Sequence, residues 1–214
     1  MKWINAMRPS CGILTALLVI SGFFYAHLRI DWIVVVTVFF ITSMAMLIND
    51  YYDRDIDVAK GRLLASSQPV WFLRYALTII VASFGLSIIV WLRNPYFGML
   101  CMGMWFTSIV YNKVQRNPLA KNMIVSMNVG ATILFPSLIG NNVFELCLLA
   151  TCITCIVSVR EFMKDVEDIE VDRGKKRTLA LVMNSRLKRN SAILWKHLMS
   201  LLLLVLIVRC LIKY

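Results

Sequence analysis

The sequence predicts an all-α membrane protein, a polytopic helical bundle around a central cavity. Of its 214 residues, 59% are hydrophobic, which is well above the share in soluble domains. The apolar residues are concentrated in long segments with few charges, each able to cross about 30 Å of hydrocarbon as a helix. We expect about seven such spans, approximately at residues 10–27, 32–49, 71–92, 95–111, 119–139, 143–160 and 191–212. They predict one membrane domain over residues 1–214, without a cleavable signal peptide, because the first apolar segment continues into a span.

The basic residues predict the orientation of this bundle. If the N-terminus is cytoplasmic, every lysine and arginine falls on the cytoplasmic side except Arg29, Arg93, Arg209 and Lys213. This asymmetry follows the positive-inside rule. It explains most of the net charge of +11 without nucleic acid, so we expect no nucleic-acid partner. The prediction is a multi-pass cell-membrane protein in contact with membrane lipids, with its N-terminus and both longer polar loops in the cytoplasm.

Two acidic clusters occupy those loops, roughly residues 50–70 and 161–190. Each cluster has aspartates at positions i, i+3 and i+7, namely Asp50, Asp53 and Asp57, and Asp165, Asp168 and Asp172. On a helix each triplet falls within roughly 60° of arc, so its three carboxylates can point to one place. Like charges so close repel unless a cation holds them, and carboxylate oxygens suit a hard divalent cation such as Mg²⁺. Two facing clusters would therefore bind Mg²⁺ and, through it, a diphosphate.

The positions of the clusters suggest an internal duplication. One follows the second predicted span and the other follows the sixth, as expected if a four-helix unit is used twice. The two clusters would then face each other across the cavity. Groups on the same side could neutralise or hydrogen-bond a phosphate: Tyr111, Lys113, Arg116, Lys121, Arg160 and Lys164. Beneath them the apolar spans would line a pocket for a hydrocarbon tail, so a substrate with a diphosphate head and an isoprenoid tail fits both parts.

Each of these features also has a purely structural interpretation. Acidic loops at a membrane edge are often only solvated. Lys113, Arg116 and Lys121 could serve the positive-inside rule alone. Asn128, a polar residue inside the fifth segment, either makes an interhelical hydrogen bond or faces the reaction cavity.

Both clusters resemble motifs of the UbiA-type intramembrane prenyltransferases. The pattern Asn-Asp-x-x-Asp-x-x-x-Asp from Asn49 to Asp57 matches the first Asp-rich motif of that superfamily, and the second cluster matches the second motif. Residues 111–122 resemble the family's loop after the fourth helix. More narrowly, residues 160–168 resemble the digeranylgeranylglyceryl phosphate synthases of archaeal ether-lipid synthesis.

The resemblance implies an enzyme that transfers a prenyl group from a polyprenyl diphosphate to a lipid or small-molecule acceptor and releases diphosphate. The expected donor is geranylgeranyl diphosphate, and geranylgeranylglyceryl phosphate is an expected acceptor. The implied Mg²⁺ ligands are Asn49, Asp50, Asp53, Asp57, Asp165, Asp168 and Asp172. The implied catalytic residues are Asn49, Asp53, Asp57, Asp168, Asp172, Lys164 and Tyr111, and Asp50 and Asp165 would support the same site. The candidate substrate-binding residues are Arg8, Lys113, Arg116, Lys121, Arg160, Glu161 and Asn128.

Two alternatives stay open at this point. A cyclase on the same scaffold would let the prenyl chain's own double bond capture the cation, and it would need no acceptor. A relative without catalysis would bind lipid or cation only. Ion transport is disfavoured because ionisable residues are absent from the predicted midplane.

The predicted helix number differs from that of the resembling family, whose members usually have nine helices. A seven-span chain is therefore expected to be short at its C-terminus. A second copy, a partner chain or lipid could complete the bundle wall, or the active site is more open than usual.

Overall fold

The computed structural model describes residues 2–58, 64–114, 118–140 and 142–167, and the seventh predicted span lies outside them. The helices are α1 (Lys2–Ala6), α2 (Pro9–Tyr25), α3 (Trp32–Tyr52), α4 (Arg54–Asp57), α5 (Leu64–Ser67), α6 (Pro69–Arg93), α7 (Pro95–Lys113), α8 (Pro118–Ala131) and α9 (Val143–Glu167). A 3-10 helix, Thr132–Leu138, joins α8 to α9. These ranges contain no strand, and the all-α fold class is confirmed.

Membrane-spanning character is clearest in α3, α6 and α9. Among the described helices, these three are long and apolar enough to cross a membrane, and α2 is a shorter apolar helix. The first six predicted segments all correspond to helices, so the membrane bundle is confirmed, whereas the number of crossings stays a prediction. α9 runs to Glu167, well beyond the predicted end of the sixth segment. The first residues of the second acidic cluster therefore lie on a helix, and the prediction of a loop from residue 161 was wrong there.

Prolines and polar caps determine where the helices begin. α2, α6, α7 and α8 each start with proline, which fits the first turn because the N–H it lacks would have no helical partner. The Asp31 carboxylate accepts a hydrogen bond from the N–H of Ile33 at the start of α3. The side-chain Oδ1 of Asn94 accepts hydrogen bonds from the N–H groups of Tyr96 and Phe97 at the start of α7. These side chains satisfy amides that the helices leave open.

The fifth predicted segment is not one continuous α-helix. α8 ends at Ala131, and the chain continues as the 3-10 helix, which contains Pro136. Proline lacks an N–H and its ring clashes with the carbonyl one turn earlier, so the α-helix does not continue through it. At about 1.5 Å per α-helical and about 2.0 Å per 3-10 residue, the two pieces together still extend about 35 Å.

The long elements form a ring around a central cavity. α2 packs on α3, α3 on α7, α7 on α8 and α8 on α9, and the 3-10 helix contacts both α9 and α2. α6 packs against α3 and α7 and contributes no residue to the cavity wall. At one end, buried Phe23, Phe97 and Phe135 meet edge to face with ring centroids 5.7–5.8 Å apart, which joins α2, α7 and the 3-10 helix.

Gly130 allows α8 and α9 to approach closely. A Cβ at this position would lie 2.0 Å from Thr154 Oγ1 and 2.7 Å from the Ala150 carbonyl oxygen. We expect Gly130→Ala to destabilise the protein by about 1–3 kcal/mol, because backbone as well as side chain must shift. The measurement is thermal unfolding in detergent. Gly103→Ala is the matched control, since a Cβ there meets nothing within 4 Å; equal stability of the two variants would contradict the tight contact.

Candidate active site

The polar residues of interest lie at the end of the ring away from the phenylalanine cluster. Arg8, before α2, forms an ion pair with Asp50, near the end of α3. Lys121, near the start of α8, places its Nζ 3.5 Å from Oδ1 of Asp165, near the end of α9. The starts of α2 and α8 and the ends of α3 and α9 therefore meet at this end of the bundle.

Tyr111 connects the two sides of this polar end. It lies in the last turn of α7, and its phenol is close enough to Asp53, Glu161, Asp165 and Arg8 for their charges to act on it. Asp53 belongs to the first acidic cluster and Asp165 to the second. The described parts of the two clusters thus share one end of the bundle.

The first cluster crosses a break between two helices. α3 ends at Tyr52, and Asp53 is a turn residue before α4. Helical hydrogen bonding nevertheless continues, since the Asp53 N–H donates to the Asn49 carbonyl oxygen at 2.9 Å and the Asp57 N–H donates to the Asp53 carbonyl oxygen at 2.8 Å. The cluster therefore keeps a helical sense across the turn at Asp53, and the prediction of a loop from residue 50 was wrong for this part of the chain.

Burial separates the motif carboxylates from their neighbour. Asp50, Asp53 and Asp57 are buried, with exposed fractions of 9%, 7% and 4%, whereas the side chain of Asp55 is 85% exposed. The i, i+3, i+7 positions thus face the interior of the bundle, and the intervening acid faces outward. Burying three carboxylates within eight residues is costly unless positive charge compensates them.

Arg8 is held in an unusual backbone conformation. Its φ of 47° and ψ of 64° are left-handed, which is uncommon for a residue other than glycine. This conformation occurs between α1 and α2, where the guanidinium turns to Asp50 and approaches Met46 Sδ at 3.8 Å. The positive charge is thereby fixed beside the first acidic cluster.

Of the three predicted aspartate ligands in the second cluster, Asp165 lies within the described residues. Its carboxylate contacts Lys121 and also accepts a hydrogen bond of 3.1 Å from Asn122 Nδ2. All three residues are buried, with exposed fractions of 5–6%. Asp168 and Asp172, the other predicted ligands of this cluster, lie outside the described residues.

One helical turn earlier on α9, a buried carboxylate holds two basic side chains. Glu161 Oε1 lies 2.7 Å from Arg160 Nη1, and Glu161 Oε2 lies 3.6 Å from Lys164 Nζ. The Glu161 side chain is 7% exposed, whereas those of Arg160 and Lys164 are 67% and 46% exposed. The two cations are therefore accessible while their shared anion is not.

The cavity inside the ring carries its charged side chains at this end and is mainly apolar deeper in, where its uncharged polar lining residues are Thr15, Thr42, Ser108 and Asn128. Its polar wall includes Arg8, Asn49, Tyr111, Arg160, Glu161 and Lys164. Its apolar wall includes Ile41, Ala45, Met104, Ile124, Val125 and Val129. A chain-like apolar molecule with an anionic head matches this gradient.

Asn128 combines the two roles that the sequence left open. Its Oδ1 accepts a 2.8 Å hydrogen bond from Thr107, and its Nδ2 donates to Ser108 Oγ at 3.4 Å, so it ties α8 to α7. It also lines the cavity.

The remaining predicted site residues are placed differently. Lys113 is exposed and lines a separate pocket between α3, α6 and α7, together with Tyr51 and Tyr52. Arg116 lies outside the described residues.

Asn122, which the sequence analysis did not select, is part of the site through its bond to Asp165. Its sequence signals were an amide beside Lys121 at the start of an apolar segment and its place in residues 111–122, which resemble a family loop.

The acidic residues of the polar end offer oxygen donors of the kind that a divalent cation binds. Within the described ranges, no group of three or more His, Cys, Asp or Glu side chains is close enough together to hold a metal ion. The donor chemistry is nevertheless suitable, because Asp53 and Asp57 carry buried carboxylate oxygens and Asn49 adds an amide at the cavity wall. The first cluster therefore fits Mg²⁺ in ligand type, and two further predicted ligands belong to residues 168–172.

Known proteins of similar sequence include two digeranylgeranylglyceryl phosphate synthases. A digeranylgeranylglyceryl phosphate synthase from Natronomonas pharaonis is 30% identical over 149 residues, covering 68% of this chain and 54% of the relative. One from Thermococcus kodakarensis is 27% identical over 180 residues, covering 81% of this chain and 65% of the relative. The chain thus spans between half and two-thirds of the length of these curated relatives.

A solved structure, described as giving structural and mechanistic insights into digeranylgeranylglyceryl phosphate synthase in membranes, has the same fold. The TM-score is 0.70 at 22% identity, with 94% of this chain and 75% of that chain covered. The model of the UbiA prenyltransferase family matches residues 10–213. Because that match extends over nearly the whole sequence, the chain belongs to the UbiA prenyltransferase family.

Proposed function

We propose that this chain is a Mg²⁺-dependent prenyltransferase that joins the prenyl group of geranylgeranyl diphosphate to geranylgeranylglyceryl phosphate. The observation that carries the proposal is a mainly apolar cavity whose polar end is lined by Asn49, Tyr111 and the accessible cations Arg160 and Lys164. The buried aspartates of both clusters lie at the same end of the bundle. The names of the relatives support the choice of substrates, since a product with two geranylgeranyl chains requires a donor and an acceptor that each bring one.

In this reaction the bond between the allylic carbon and the diphosphate oxygen breaks. The diphosphate leaves with the electron pair of that bond, the acceptor hydroxyl oxygen bonds to the carbon, and the hydroxyl proton passes to the released diphosphate. Bound Mg²⁺ would supply positive charge to the leaving diphosphate. Its proposed ligands from the first motif are Asn49, Asp50, Asp53 and Asp57. Its proposed ligands from the second motif are Asp165, Asp168 and Asp172.

The cations and the phenol assist the same step. Arg8, fixed by Asp50, adds positive charge beside the first cluster, and Tyr111 offers a hydroxyl between both clusters. The apolar wall around Met104 and Val129 excludes water from the allylic cation, which would otherwise be quenched as an alcohol.

The orientation and assembly of the protein belong to the same proposal. The charge asymmetry supports a cytoplasmic N-terminus and a cytoplasmic polar end. The domain is taken as one unit over residues 1–214, and a second copy or another partner that completes the bundle wall stays a prediction.

The test uses the purified chain in detergent or lipid with Mg²⁺ and geranylgeranyl diphosphate. Diphosphate release and product mass are measured with and without geranylgeranylglyceryl phosphate, and after chelation with EDTA. We expect release that requires both acceptor and metal, together with the coupled mass. Release of a cyclic or hydroxylated hydrocarbon without acceptor would replace the proposal with a cyclase, and the absence of release would contradict any turnover by this chain.

A further inference from the structure

We propose that Arg160 and Lys164 bind the phosphate of the lipid acceptor, and so select an acceptor with an anionic phosphate head over one with a neutral head. This inference rests on the proposed function, and it assigns the second substrate to a place in the site.

The geometry of α9 presents these two cations together. Arg160 and Lys164 are four residues apart, so they lie on one face of the helix, and both line the central cavity. Glu161 binds both, at 2.7 Å and 3.6 Å, from a position that is 7% exposed. A buried carboxylate thus orients two side chains whose charged ends remain accessible.

Two other described cations of the polar end are paired with buried aspartates, and exposed Lys113 lines a separate pocket. Lys121 has an exposed side-chain fraction of 8% and is paired with Asp165. Arg8 is 21% exposed and is paired with Asp50. Arg160 and Lys164, at 67% and 46%, can therefore receive a group that arrives from the membrane surface.

The charges favour separate binding sites for the two substrates, with the acceptor phosphate at Arg160 and Lys164 and the donor diphosphate near the aspartates. Two cations with one carboxylate leave a net charge of +1, which suits a single phosphate of about −1.5 to −2. A diphosphate carries more negative charge and is attracted to a divalent cation among the aspartates. Arginine is well suited to the single phosphate because its planar fork can donate two parallel hydrogen bonds.

The experiment compares geranylgeranylglyceryl phosphate with its dephosphorylated form, geranylgeranylglycerol. Binding to the full chain without donor is measured by native mass spectrometry, and turnover is measured with geranylgeranyl diphosphate. We expect the wild type to bind the phosphate form at least about tenfold more tightly, and Arg160→Gln/Lys164→Gln to lose that preference. In turnover, the KM for the acceptor should rise at least about tenfold, while the KM for the donor changes less than about twofold.

Two further variants make the result decisive. Removing both cations leaves Glu161 buried without them, so the triple variant Arg160→Gln/Glu161→Gln/Lys164→Gln provides a form without that unpaired charge. Arg74→Gln is the matched control, because Arg74 is exposed and stacks on Trp71, outside the cavity wall. The control should keep the phosphate preference of the wild type.

The outcomes separate this inference from the proposed function. If the variants turn over and still prefer the phosphate form, the inference is wrong and the prenyltransferase stands. If no acceptor is prenylated but the wild type prefers the phosphate form and the variants do not, the cation pair is a phosphate site and the proposed reaction is wrong. If the wild type shows no preference, the inference is overturned directly.

Discussion

Asp53→Asn is expected to reduce Mg²⁺-dependent turnover by on the order of 100-fold or more, while leaving the protein folded. Asp53 is 7% exposed, belongs to the first acidic cluster and lies close enough to Tyr111 for its charge to act on the phenol. Removal of one group that stabilises developing charge in a transition state costs about 10²–10³ in rate. Asparagine keeps the shape but not the charge, so the loss should appear in catalysis. Asp168→Asn should act in the same way if the second cluster takes part.

The matched control for Asp53 is Asp55→Asn. The two substitutions remove the same charge two residues apart, but the Asp55 side chain is 85% exposed and its ion pair with Arg54 is long, at 3.8 Å. Asp55→Asn should therefore turn over at nearly the wild-type rate. Diphosphate release and the Mg²⁺ concentration for half-maximal rate are measured for both variants. Equal turnover in Asp53→Asn, Asp55→Asn and wild type would remove the first cluster from the mechanism.

The spacing of the aspartates in the sequence predicted which carboxylates of this cluster share one face. The i, i+3, i+7 pattern distinguishes Asp50, Asp53 and Asp57 from Asp55, and the same division appears as buried against exposed side chains. Periodicity works here because helical hydrogen bonding continues through the turn at Asp53. The apolar segments likewise predicted the bundle, since membrane spans must satisfy their backbone internally.

Helix ends and side-chain partners were less predictable. Pro136 lies inside an apolar segment whose composition alone favours a continuous span, and the change to a 3-10 helix depends on local geometry. α9 continues into the acidic cluster because its polar residues find partners there, as Glu161 does with Arg160 and Lys164. A hydropathy pattern does not indicate which side chains will pair with one another.

Lys121 is the clearest case of a role hidden from the sequence. Its position at a membrane edge is equally consistent with the positive-inside rule and with phosphate binding. The structure shows a third arrangement, a buried ion pair with Asp165, and places Asn122 on the same carboxylate. That contact joins residues more than 40 positions apart, so it depends on how α8 and α9 pack.

Lys121→Met is therefore expected to destabilise the protein by about 3–5 kcal/mol, because it leaves the buried Asp165 carboxylate without its cation. The free energy of unfolding is measured by titrating the purified chain with SDS in mixed micelles. Adding Asp165→Asn to this variant should restore most of the loss, since the unpaired charge is removed and an amide remains beside Asn122. Arg54→Met is the control, because it removes a long ion pair to exposed Asp55 and partly exposed contacts with Tyr51, and it should cost less than about 2 kcal/mol.

The activity of the same variants separates a structural lysine from a substrate-binding one. If Lys121 acts by holding Asp165 in place, the protein that remains folded at low temperature should keep its KM for geranylgeranyl diphosphate, whereas loss of Asp165 should weaken the dependence on Mg²⁺. A Lys121→Met variant with wild-type stability and a strongly raised KM for the donor would show instead that Lys121 binds the donor. The buried pair would then exist only without substrate, and the lysine would exchange Asp165 for a phosphate during turnover.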